Sequence, residues 1–164
     1  MAVEKYKALA NITLTSTASS VTFGSIPSGF RDLRLVISGN ITALTIPNFQ
    51  VNGTASTSFY YSVSAVRFST SSVSSASYSG SETTARLHYE SSANVGIVTY
   101  MIDLLDYSAT DKHKTALSRT SDGNAEANML AHRFATTSAI SSITLNSGST
   151  NWGIGTTFEL YGVA

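Results

Sequence analysis

Cysteine is absent from the 164 residues, so disulfides and thiolate metal sites are excluded and stability must come from core burial. Compartment is left open by this absence, because a β-sandwich of this size needs no covalent staples. Charge is scarce as well. Ten basic and ten acidic residues cancel, and 12% of the chain is charged, against about 25% in typical domains. Nucleic-acid binders need a basic field to neutralise phosphates. Basic residues here are scattered, apart from Lys5/Lys7 and Lys112/Lys114, so DNA and RNA are not expected partners. No run of about 18 apolar residues is present to span a membrane as a helix. Met1 to Lys7 contains Glu4 and two lysines and lacks the apolar stretch of a signal peptide.

Hydroxyl side chains stand where charge is missing. The chain holds 28 Ser and 21 Thr, and the threonines interleave with Val, Ile, Leu, Phe and Tyr. Thr is both β-branched and polar, so it favours the wet face of a strand. Such a surface repels other protein weakly and suits a chain that lives packed against neighbours. Asn11-Ile-Thr13, Asn40-Ile-Thr42 and Asn52-Gly-Thr54 match the glycosylation sequon, as chance allows in a chain this rich in Asn and Thr.

Apolar residues alternate throughout, and no segment keeps a period of 3.6. Strands are expected from Leu9 to Leu14, at Val21–Phe23, and at Leu33, Leu35 and Ile37, where Gly39-Asn40 should end the run. Phe49 and Val51 lead to Asn52-Gly53, a strong turn signal because both residues tolerate positive φ. Phe59 to Phe68 reads as an aromatic strand. Ser69 to Ser81 reads as a long exposed loop with room for a short edge strand. Ala85 to Glu90, Val95 to Tyr107, His113 to Arg119, Met129 to Phe134, Ile140 to Leu145 and Gly155 to Val163 follow as strands. Only Glu126 to Arg133 could host a helical turn or two. Eight to ten strands at this spacing predict an all-β fold, a two-sheet antiparallel sandwich with the jelly roll as its expected form. Residues 1–8 form an arm or lead-in, and 9–164 a single domain.

No residue set asks for catalysis or a cofactor. His88 and Glu90 share a strand face and could hold zinc with His113 or His132, but a polar face with a cross-strand charge pair is the simpler reading. Asp103 and Asp106 resemble an acid/base pair only in sequence, since positions i and i+3 of a strand face opposite ways. Gly153-Ile-Gly155 lacks the strand-to-helix context of a phosphate loop. Trp152, the sole tryptophan, could stack on a sugar, but is expected to plug the core. No enzyme, metal or cofactor is therefore expected.

Partner contact has better candidates. Tyr60, Tyr61 and Tyr78 offer large contact area at low entropic cost, and the serines around them adapt their hydrogen bonds. Val95 to Tyr107 is apolar on both faces, with Val98, Tyr100, Ile102 and Leu104 on one and Ile97, Met101 and Leu105 on the other. A strand wet on one side would not need that. The strand is either covered on both sides or half core and half subunit interface, and a subunit contact is expected through it or through the aromatic 59–68 segment.

Several phrases resemble small structural proteins of tailed bacteriophages, especially marine ones. Ala18-Ser-Ser-Val-Thr-Phe-Gly-Ser-Ile-Pro27 followed by Asp32-Leu-Arg-Leu-Val36 is similar to their opening block. Phe49-Gln-Val-Asn-Gly53 with Phe59-Tyr-Tyr61, and Asp106-Tyr-Ser108 with Lys114-Thr115, resemble internal ones. The most specific is the close, Ser138-Ala-Ile-Ser-Ser-Ile-Thr-Leu145 and Gly155-Thr-Thr-Phe-Glu-Leu-Tyr-Gly162. The resemblance implies a virion location and a structural role without catalytic residues. Capsid decoration (a cement protein) is the leading expectation, with a homo-oligomer, a trimer favoured, bound to capsid or other virion proteins. The alternative is a tail or head-fibre module that binds host glycan.

Overall fold

The computed structural model describes residues 5–53, 60–68, 73–81, 84–88, 96–122 and 126–164, with the backbone alone for 60–68, 76–81 and 122. Twelve strands, and no helix, occur among the described residues: β1 (Tyr6–Thr13), β2 (Ser20–Phe23), β3 (Asp32–Ile41), β4 (Asn48–Val51), β5 (Tyr60–Phe68), β6 (Val73–Ser81), β7 (Ala85–Arg86), β8 (Gly96–Leu105), β9 (Lys114–Asp122), β10 (Ala127–Phe134), β11 (Ile143–Asn146) and β12 (Thr157–Val163). Eight form one sheet in the order β1-β12-β3-β8-β9-β10-β5-β6, and four form a second in the order β2-β11-β4-β7. Every neighbouring pair is antiparallel.

Alternation decides which side chains meet between the sheets. Leu33, Leu35, Ile37 and Ile41 of β3, Val98, Tyr100, Ile102 and Leu104 of β8, and Phe158 and Leu160 of β12 are buried from the large sheet. Val21 and Phe23 of β2, Phe49 and Val51 of β4, and Ile143 and Leu145 of β11 are buried from the small one. All belong to one hydrophobic cluster. Phe49 crosses between the layers, meeting His132 and Phe134 of β10 edge-on at ring-centroid distances of 5.7 and 5.6 Å. The molecule is thus a two-sheet antiparallel sandwich. An eight-stranded jelly roll is built from two Greek keys, and this eight-plus-four strand order does not establish that connectivity.

Four local expectations are corrected. β3 does not stop at Gly39-Asn40 but runs on to Ile41, paired with β8 throughout. Glycine is needed there for closeness rather than for a turn: a Cβ on Gly39 would lie 2.4 Å from Thr156 Oγ1 and 2.5 Å from Thr156 Cα. The edge strand for which the polar stretch 69–81 has room is longer than expected, since residues 73–81 form the nine-residue β6, and 69–72 lie outside the described residues. The strand expected from Met129 to Phe134 is present as β10, paired on both sides, so Glu126–Arg133 hosts no helical turn. Of the described part of Ala85 to Glu90, Ala85–Arg86 is strand and Leu87 and His88 form a bend, with Tyr89 and Glu90 outside the described residues.

Asn52 and Gly53 have φ of 54° and 62°, as the turn signal requires. Yet the strands flanking it, β4 and β5, lie in different sheets, so the turn sends the chain across the sandwich instead of closing a hairpin. Asn52 also clamps the approach to β11. Its Oδ1 accepts the N–H groups of Ser141 (2.8 Å) and Ser142 (3.3 Å), and its Nδ2 donates to the Ala139 carbonyl (2.9 Å).

Candidate interaction surface

β8 sits in the middle of the large sheet, between β3 and β9. Its inner side chains make core, and Ile97, Thr99, Met101, Asp103 and Leu105 point the other way. The small sheet lies against the opposite face, so these residues form the outer surface of the sandwich. The 73–81 segment does not cover them, since it is a strand of the same sheet.

Cross-strand register builds a mixed patch on this surface. Met101 pairs with Val36 of β3 and Arg119 of β9, and Arg119 pairs with Met129 of β10. One row over, Asp103 pairs with Arg34 and Leu117, and Leu117 pairs with Ala131. Leu117 is 44% exposed and Met129 51%, large values for residues that normally contribute to a core. Asp103, Leu117, Arg119, Met129 and Ala131 line an open groove of about 520 Å³, with Ser118 and Leu130 contributing to its floor.

An ionic ladder runs alongside. Asp103 accepts from Arg34 Nε at 2.5 Å through Oδ1 and from Arg119 Nη2 at 3.0 Å through Oδ2. The hydrogen bond to Asp103 raises the Arg34 pKa, against a smaller opposing effect of burial. Arg34 also donates to Tyr6 Oη at 3.0 Å, its guanidinium 5.4 Å from the ring centroid of the same tyrosine. Arg119 Nη2 lies 3.4 Å from Met101 Sδ. The ladder thus runs beside the apolar side chains of Met101, Leu117 and Met129.

Of the side chains expected to meet a partner, Met101 is at the centre of this patch. Leu105 lies at the end of β8 and is half-buried. Ile97 is 72% exposed but two rows from Met101, beyond Thr99. The side chains of Tyr60, Tyr61 and Tyr78 lie outside the described residues; the backbone places them on β5 and β6. Leu117 and Met129 are the contributors that sequence reasoning overlooked. The cause is an inverted pattern on β9, where Lys114, Ala116, Ser118 and Thr120 are the buried positions and Leu117 faces outward.

That inversion leaves a polar seam inside the sandwich. His88, His132, Asn128, Ser118 and Thr120 are all buried. Asn128 Nδ2 is hydrogen-bonded to His88 Nε2 at 3.2 Å, and Ser118 Oγ to His132 Nε2 at 3.3 Å. Glu126 Oε2 stands 3.6 Å from His88 Nε2. Burial lowers the His132 pKa to about 4, so its imidazole is neutral near pH 7. Lys114 is fully buried, and its Nζ donates to the carbonyls of Ala109 and Lys112, the latter at 2.9 Å. Desolvation lowers its pKa, partly opposed by Asp111.

The residues weighed for chemistry are held apart or occupied. His88 is not on an exposed polar face but in the core, while His113 is at the surface, and the described residues contain no group of three metal-ligating side chains. Asp103 is bridged by two arginines, and Asp106, past the end of β8, is paired with Lys112 at 3.1 Å. Trp152 is fully buried, edge-on to Phe158 at 5.3 Å and Tyr100 at 6.2 Å. Comparison of the chain with models of known protein families gives no match, and comparison with curated protein sequences gives none.

Proposed function

We propose that this chain is a structural protein of a bacteriophage particle, a capsid decoration protein that docks through the outer face of its large sheet. The observation that carries this reading is the patch of Met101, Leu117 and Met129, set beside the Arg34–Asp103–Arg119 ladder on an open sheet face. It sets apolar side chains beside charged ones, the mixture of an interface core with a charged rim. Asp103 neutralises one of the two arginines, so the ladder carries a net positive charge that an acidic group on the covering protein would match. The likeness of the sequence to phage structural proteins supplies the class of partner, a shell subunit. Burying this face would stabilise a shell by binding its assembled form in preference to its parts.

The role is non-enzymatic in this reading, because the carboxylates and histidines that could act as acids or bases serve as surface clamps or core groups. Trp152, enclosed by Phe158 and Tyr100, presents no face on which a host sugar could stack.

Quantitative mass spectrometry of purified particles tests the proposal. A decoration protein is present at a copy number comparable to the major capsid subunit. A copy number of only a few per particle, or absence from the particle, overturns it.

A further inference from the structure

The two sheets have four edges, and three of them are guarded. β2 is four residues long and β7 two, too short to template a long pairing. β1 carries Lys7, and its pairing with β12 shifts register between Ala8 and Ala10. Short edges, lysines and bulges are the devices by which natural sheets discourage edge-to-edge pairing.

β6 has none of these. It is nine residues long, reads Val-Ser-Ser-Ala-Ser-Tyr-Ser-Gly-Ser, and contains no charge and no proline. Its register with β5 is unbroken from Tyr60↔Ser81 to Phe68↔Val73. β5 is its only strand partner among the described residues, so one edge of its backbone N–H and C=O groups has no described strand beside it.

We propose that β6 is a self-association strand, and that its occupant is the β6 of a second copy of this chain, paired antiparallel about a two-fold axis. Self-pairing is favoured by three features. A strand with no charge meets its own copy without repulsion. Pairing centred on Ser77 would set Ser74 opposite Gly80, Ser75 opposite Ser79 and Ala76 opposite Tyr78, so small residues face one another or leave room for the one large ring. A two-fold contact is also isologous and closes on itself. It consumes both open edges, and Lys7 with the β1 bulge prevents growth from the far side. The product is a dimer with a continuous sixteen-stranded sheet, not the trimer expected from virion jelly rolls. It stands independently of what the outer face binds.

The test is sedimentation velocity of the full chain across a concentration series, with three variants. Ser75→Lys/Ser79→Lys places two like charges opposite their symmetry mates. By register both positions lie on the face shared by Met129, away from the core side. The wild type is expected to dimerise, and this variant to weaken dimerisation by about tenfold or more, with an unchanged melting temperature at concentrations where both are monomeric. Lys7→Ser on β1 should leave the dimer as it is. Met129→Asp should do the same, which separates this contact from the outer-face reading. Hydrogen exchange reads the same contact without mutation: β6 amides should gain protection as concentration rises. A wild-type monomer at high micromolar concentration overturns the proposal, as does a dimer lost on Met129→Asp but retained by the lysine variant. So does concentration-dependent protection confined to residues outside β6.

Discussion

At the scale of single residues, the sandwich places groups by what they need rather than by hydrophobicity alone. Trp152 follows its sequence reading and fills the core. His132, weighed with His113 as a third zinc ligand and set aside for a polar strand face, has its ring buried against Phe49 and hydrogen-bonded to Ser118. Sequence could not reveal this, because the burial of a single polar residue depends on what the opposite sheet brings to it. A measurable consequence follows from its pKa of about 4. The unfolded chain protonates this histidine near pH 6.5 and the folded chain does not, so the unfolded state binds more protons between those values. Stability is therefore full above about pH 6.5, declines as pH falls towards 4, and has no further contribution from this group below that. The total is about 3 kcal/mol. Urea unfolding from pH 7 to pH 4 should show a steeper loss for the wild type than for His132→Gln. Parallel profiles for the two proteins would mean that His132 is protonated inside the fold.

Elements were legible where the apolar residues alternate cleanly. β2, β4, β8 and β12 lie where Val21–Phe23, Phe49–Val51, Val95–Tyr107 and Gly155–Val163 pointed, and the inner face of β8 is the one that its pattern selected. Other elements were concealed for physical reasons. β6 has serine and small residues where a strand signal needs β-branched or aromatic ones, and its pairing with β5 supplies what local propensity lacks. β9 reads inside out because a polar seam, not an apolar stripe, faces the core. In β3 the Gly39-Asn40 pair mimics a turn, and only the close passage of Thr156 explains the glycine. Gly39→Ala should accordingly cost about 1–3 kcal/mol, as overpacking against rigid backbone does, since the nearest atoms include Thr156 Cα. Thermal or urea unfolding checks this. A neutral or stabilising substitution would show that the segments around residues 39 and 156 separate easily.

Across the whole molecule, one face of the large sheet is sealed by the small sheet and the other stands open at its centre. Sequence indicated that Val95–Tyr107 had an apolar second face, and the structure places Met101 within it. The full patch could not be read from one strand, because it is assembled from Met101, Leu117 and Met129 on three neighbours. A chain with zero net charge and a hydroxyl-rich surface has little long-range steering, so docking would depend on this local complementarity. The most direct test is co-sedimentation of the purified chain with undecorated particles of the phage that encodes it, comparing wild type with Met129→Asp. Met129→Asp replaces an exposed apolar side chain of the patch with a shorter, charged one, and the loss of that apolar contact should weaken binding by about thirtyfold or more while the melting temperature holds. Saturable wild-type binding, lost on Met129→Asp, is the predicted result. Wild-type and Met129→Asp chains that bind equally, or a wild type that does not bind, would contradict the outer face as the docking surface.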